Sequence, residues 1–250
     1  MNIDRLGVGA SSKPPSALIL ADVSAATLHQ VVQQLRPGFR KVIMIGHSLG
    51  SGLTQIEAAG YHDLDGMIIT GISHLINAGA AAPVFGSLLP VRLAHPRSAK
   101  ARDWGLDAGY LTTRPGTRDA DFHQPSQDGP DAIRYDEDNW DAVPAAEVPG
   151  VALELTPVTT RSRVITTPVL SVIGQRDAVL CGLLGGTVST LATFVTDCSS
   201  SAALTRSEQR YYPKARSFTA FVVPGAGHSM TFAAHAPDYY PVAINWTKGL

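Results

Sequence analysis

Ser48 lies in the segment VIMIGHSLGSG, residues 42–52, where four apolar residues run into Gly46-His47-Ser48-Leu49-Gly50. A serine hydroxyl is a weak nucleophile until a base removes its proton, and that base needs a third group to orient it. Two later segments offer such partners. Residues 168–177 read PVLSVIGQRD and bring Asp177 to the end of an apolar run. Residues 218–230 read FTAFVVPGAGHSM and bring His228 just past another. Serine, imidazole and carboxylate together can perform acyl transfer through a covalent serine intermediate. Each residue also has an ordinary reading. GxSxG arises by chance in turns, Asp177 could pair with Arg176, and a loop histidine commonly bonds to backbone. Asp197 is a rival acid, but it follows no convincing strand.

The surrounding elements decide whether these residues can meet. Residues 41–45 form a short apolar run, expected as a strand buried on both faces. Residues 49–59 fit a helix ending at Gly60. Ser48 therefore falls in a sharp strand-to-helix turn, where glycines two positions either side relieve crowding and the helix N-terminus points free N–H groups at a reacting carbonyl. Residues 23–36 carry Leu28, Val31, Val32 and Leu35 at helical spacing, stopped by Pro37-Gly38. Residues 66–70, 168–173 and 218–223 read as further strands, and a last helix starts near Pro241. This alternation predicts an α/β fold, a mostly parallel sheet with helical crossovers. Functional groups of such folds collect beyond the carboxyl ends of the strands, where Ser48, Asp177 and His228 all fall.

The remaining sequence narrows the classes of function. The chain has 250 residues, 44% hydrophobic and 16% charged, with a net charge of −1. No basic field points to nucleic acid or an anionic membrane surface. There is no zinc-type spacing of Cys or His and no phosphate-binding loop. Gly7-x-Gly9 after Asp4 is a weak hint of nucleotide binding, because a third glycine and a preceding strand are missing. The two cysteines, Cys181 and Cys198, are expected as free thiols in a reducing compartment. The first 15 residues contain no apolar signal core, so a cytoplasmic location is expected. Residues 178–196 carry no charge, and their glycines and hydroxyl residues favour a buried helix or pocket lining over a membrane span. Residues 75–163 are rich in Pro, Gly, Ala and Asp and read as a solvated, loop-rich lid inserted into a core of residues 1–74 and 164–250. The clusters Arg97/Lys100/Arg102 and Asp136/Glu137/Asp138 within it are expected as wet surface.

The order Ser, Asp, His and the segments IDRLGVGASS, GHSLGSG, IGQRD and GAGHSMTF resemble the α/β-hydrolase family, in particular its lid-bearing esterases and lactonases. The resemblance implies a serine hydrolase that needs no metal or organic cofactor and acts on a hydrophobic small molecule. Ser48 would be its nucleophile, His228 its base and Asp177 the orienting acid. It implies that the backbone N–H of Leu49 is one oxyanion donor. The family's other donor comes from a loop ahead of the IDRLGVG segment, and this chain begins almost on that segment. The expectation is therefore of missing N-terminal strands, of strand 42–45 exposed as a sheet edge, and of impaired activity. His47 and His74 are the candidate substrate contacts, each with packing as its alternative, and Arg5 and Leu6 would border the pocket. A ligand-binding homologue with little or no turnover is the rival reading, with a lyase or cofactor-free peroxidase as a third. A haloalkane dehalogenase is disfavoured, since it needs Asp where this chain has Ser48.

Overall fold

The apolar runs assemble into one parallel sheet in a computed structural model that describes residues 1–76, 78–124, 126–181 and 196–250. In chain order, helix α1 (Ala21–Leu35) precedes strand β1 (Ile43–His47), helix α2 (Leu49–Tyr61) and strand β2 (Gly66–Thr70). Next come α3 (Ala78–Ser87), β3 (Leu88–Pro90), α4 (Val91–Ala94), α5 (Ala99–Asp103), β4 (Tyr110–Thr113), α6 (Arg118–Phe122), α7 (Pro130–Asp138), β5 (Val143–Pro144) and α8 (Glu147–Glu154). The chain then returns through β6 (Val169–Gly174), α9 (Ala178–Cys181), α10 (Ser201–Glu208), β7 (Phe218–Val223) and α11 (Tyr239–Lys248). The main sheet has the order β1-β2-β6-β7, with every neighbouring pair parallel.

Side-chain alternation explains how helices cover both faces. Met67 and Ile69 point to one face and pack with Val32 of α1 and Ala58 and Ala59 of α2. Ile68 points to the other and packs with Leu170 and Val172, against Val242, Ala243 and Trp246 of α11. β2 and β6 are buried along their whole length, as central strands covered on both faces should be. β1 departs from the expectation of two buried faces: it is an edge strand, and Ile45 is 66% exposed. α2 also runs one residue past Gly60, and the left-handed residue that ends it is His62, at φ 53°.

Residues 75–163 are more ordered than their composition suggests. Three short antiparallel strands, β3-β4-β5, form a second sheet. Beside it Val91, Ala101, Leu106, Tyr110 and Trp140 make a separate apolar cluster. The N-terminal segment is built into this layer. Ile19 enters the same cluster, Pro14 O accepts from the Tyr110 hydroxyl at 2.6 Å, and Ser16 bonds Asp107 through N–H and hydroxyl. The stretch expected to be solvated contains α6 and α7, because its charges satisfy one another. Arg118 grips Asp136 with two bonds of 2.8 Å, and buried His123 bridges Asp128 at 2.8 Å and Asp136 at 3.1 Å.

The cysteines are also a correction. Cys181 and Cys198 form a disulfide with their Cα atoms 5.6 Å apart, so neither is a free thiol. The bridge removes one ground for expecting a reducing compartment. Most of segment 178–196, weighed above as a buried helix, lies outside the described residues. Its start, Ala178–Cys181, is the short helix α9, with Leu180 and Cys181 buried. Among the described residues no helix is long and apolar enough to cross a membrane.

Candidate active site

Ser48 occupies the turn between β1 and α2 with φ 50° and ψ −120°, a conformation that costs a non-glycine residue energy and persists only where its surroundings enforce it. Part of that enforcement comes from Gly46. A Cβ there would lie 2.5 Å from the carbonyl oxygen of Gly50, so the turn closes only without one. Gly50 faces no such crowding. The rest comes from Thr70 at the end of β2. Its carbonyl accepts from the Ser48 N–H at 2.8 Å and from the Ser51 hydroxyl at 2.8 Å. Its own hydroxyl donates to Gly46 O at 3.0 Å and must then accept from His47 Nδ1 at 2.8 Å. Thr70 thus sets the His47 tautomer and ties the elbow to the neighbouring strand.

Asp177 and His228 reach Ser48 because the turns that carry them are joined. The Gln175 N–H bonds Val223 O at 2.9 Å, the Arg176 N–H bonds Ala226 O at 2.8 Å, and the Gly225 N–H bonds the Gln175 side chain at 2.9 Å. Asp177 is fully buried. Its Oδ1 accepts from the N–H groups of Val179 and Leu180 at 3.1 and 3.2 Å, in the first turn of α9. Its Oδ2 accepts from His228 Nδ1 at 2.7 Å. His228 Nε2 lies 2.9 Å from Ser48 Oγ. Burial of the ring disfavours its charged form, but the charge and hydrogen bond of Asp177 outweigh burial and hold His228 above the ordinary imidazole value. Gly71, at φ 61°, leaves room for both rings: a Cβ there would come within 2.8 Å of His47 and 3.2 Å of His228. Asp197, the rival acid, accepts from Ser199 N–H in its own loop.

Two cavities meet at Ser48 and His228. The larger, about 480 Å³, combines Arg118, Asp136, Asn139 and Asp141 with apolar Leu88, Leu111, Phe122 and Phe232. The smaller, about 260 Å³, is lined by Val84, Phe85, Val148, Val151, Leu155 and Leu180. Leu49, the first residue of α2, also borders the smaller one. His47 borders the larger one, its ring centroid 5.1 Å from that of His228. His74 is not available to a pocket ligand. It is buried, with Nδ1 2.7 Å from Glu208 and Nε2 2.9 Å from Ser162 and 3.2 Å from Thr160.

Arg5 borders both cavities and is clamped by the buried carboxylate of Glu147 at 2.5 and 2.6 Å. Leu6 instead packs into the Tyr110–Trp140 cluster. Asp4 closes its own loop by accepting from the Ala10 N–H at 2.8 Å, which accounts for the Asp and glycines there without a nucleotide. Sequence reasoning missed Thr70, Phe122 and Asp136. The position of Thr70 at the carboxyl end of a strand was the one available signal among the three.

Across residues 1–239 the chain matches the model of the alpha/beta hydrolase family. The chain belongs to this family. Solved alpha/beta hydrolases share its fold at low sequence identity. E-2-(acetamidomethylene)succinate hydrolase is 21% identical with a TM-score of 0.53, over 98% of this chain and 80% of that one. An esterase from Thermogutta terrifontis is 18% identical with a TM-score of 0.57, over 98% and 78%. A methylesterase from Arabidopsis is 14% identical with a TM-score of 0.59, over 100% and 87%. No curated protein sequence matches the chain significantly.

Proposed function

We propose that this alpha/beta hydrolase cleaves an ester-like bond of a hydrophobic small molecule through an acyl-serine intermediate. One observation carries the proposal: an unbroken hydrogen-bond chain from Ser48 Oγ through His228 to buried Asp177, opening onto two cavities. His228 Nε2 accepts the Ser48 proton as Oγ attacks the carbonyl carbon. Asp177 keeps the other ring nitrogen protonated and stabilises the imidazolium. The oxyanion faces the N-terminus of α2, where the Leu49 N–H would donate to it, an interaction of a kind typically worth about 10²–10³ in rate. His228 then returns its proton to the leaving alkoxide, and water repeats the sequence to release the acid.

The two cavities divide the substrate. The apolar 260 Å³ chamber suits the acyl part, and the more polar 480 Å³ chamber suits the alcohol part and the attacking water. Segment 75–163 acts as the cap, since Leu88, Phe122 and Val143 border both chambers. His47 contacts the substrate from the polar side.

Labelling with a fluorophosphonate probe and hydrolysis of p-nitrophenyl esters test the reading together. Wild type is expected to be labelled at Ser48 and to turn over, and Ser48→Ala to do neither. Equal turnover by the two proteins would remove the enzyme reading and leave ligand binding.

A further inference from the structure

Away from the two cavities, Glu57 poses a problem of its own. It lies on α2 with no exposed surface, and among the described residues neither carboxylate oxygen accepts a hydrogen bond from a protein donor. A buried carboxylate without donors is unfavourable by several kcal/mol unless a proton or a cation compensates it. Asp63, after α2, adds a second such oxygen: among the described residues its buried Oδ1 accepts from no donor unless Glu57 itself carries a proton. Its Oδ2 lies 2.8 Å from Nδ1 of His29 on α1. One ligand-capable atom from each of His29, Glu57 and Asp63 falls within 4.8 Å of the others.

The geometry points to a divalent transition-metal site, zinc by preference, held by His29, Glu57 and Asp63. Two carboxylates and a neutral imidazole carry two negative charges, which one divalent ion cancels. The imidazole nitrogen favours zinc over the oxygen-seeking magnesium and calcium. The surroundings are those of a held ligand set. The His29 ring stacks on Tyr61 with centroids 3.9 Å apart, and the Gln33 amide donates to Asp63 Oδ2 at 2.5 Å. Arg36, a nearby cation, bonds Asp65 at 2.5 Å and reaches Glu57 only through its field, without a hydrogen bond to it. The His29 and Asp63 side chains remain 27% and 16% exposed, which leaves an ion a way in from solvent. Thirty-four residues separate His29 from Asp63, so no short motif announces the site. None of the three residues borders the catalytic cavities, so the ion would tie α1 to the end of α2 and take no part in acyl transfer.

Equilibrium dialysis of chelator-stripped protein against zinc chloride tests this, with cobalt(II) absorption as a spectroscopic readout. Wild type is expected to retain one ion per chain. His29→Ala and Asp63→Asn, shown folded by circular dichroism, should bind at least about tenfold more weakly. A second measurement needs no variant: zinc should protect His29 from carbethoxylation, read by mass spectrometry. No retained zinc, equal retention by a folded variant, or unprotected His29 would overturn the site and leave Glu57 and Asp63 sharing a proton.

Discussion

Asp177 holds His228 with one oxygen and helix α9 with the other. Oδ2 lies 2.7 Å from His228 Nδ1, while Oδ1 takes the N–H groups of Val179 and Leu180. The carboxylate is therefore fixed in plane before any substrate arrives, and the imidazole inherits that orientation.

Replacing Asp177 by Asn should leave the fold intact and reduce kcat by roughly 10⁴, because the amide no longer enforces the productive tautomer. The pH profile provides an independent check. His228 acts as a base only when neutral, and Asp177 raises its pKa against the effect of burial. Activity of the wild type should therefore rise with pH through a midpoint above the ordinary imidazole value. In Asp177→Asn, burial is unopposed and the residual activity should have a lower midpoint. Unchanged midpoints in kcat/KM profiles would contradict the assignment.

Thr70→Val removes the hydroxyl that Gly46 O and His47 Nδ1 both use. The buried Gly46 carbonyl and the ring of exposed His47 then lose a partner, costing about 1–3 kcal/mol in urea unfolding, most of it at Gly46. The elbow also loosens, and kcat should fall by about tenfold to a hundredfold. Thr70→Ser keeps the hydroxyl and should restore most of both quantities.

The charge network joining α6 and α7 predicts a pH-dependent stability. Burial alone would lower His123, but Asp128 and Asp136 outweigh it and push the imidazole up to about 9. Burial likewise raises Asp136, but His123 and Arg118 hold it down to about 2. For a histidine with a raised folded pKa, the stabilisation is complete below its unfolded value near 6.5 and is lost as pH climbs through about 9. Unfolding free energy should therefore decline across that window in the wild type. His123→Gln should be less stable at pH 6 and flatter above it, as measured by urea titration at a series of pH values.

The disulfide sits next to Asp177, the proposed acid, since Cys181 lies in the short helix whose N–H groups bond its carboxylate. Cys181 and Cys198 are 17 positions apart, and opening a loop of that size should cost roughly 3 kcal/mol. Guanidinium unfolding with and without reductant would reveal it. Cys198→Ser should match the reduced wild type and show no further response to reductant.

The meeting of Ser48, His228 and Asp177 was legible because each residue follows a distinct apolar run, and runs buried in a parallel sheet keep little besides hydrophobic side chains. β2 and β7 occupy the residues expected of them, 66–70 and 218–223. The region around α6 and α7 misled for the opposite reason. Arg118, His123, Asp128 and Asp136 are charged residues whose partners lie up to 18 positions away, and composition does not distinguish a paired charge from a solvated one. Asp136, expected as wet surface, lines the larger cavity instead. His74 misled similarly: it follows a strand end, as pocket residues do, but Glu208 arrives from a distant helix and claims it. The edge position of β1 was legible only through the family resemblance, since an apolar run looks alike at the centre and the rim of a sheet.

Arg5, Leu88, Phe122, Val143 and the hydrogen-bonded pair Ser48 and His228 border both chambers, while the deeper walls of each chamber are its own. In the proposed ester hydrolysis, drift in Val84 or Val151 would retune which acyl parts are accepted while leaving the alcohol side alone, and drift in Asn139 or Asp141 would do the converse. Under that proposal the two preferences would be inherited separately.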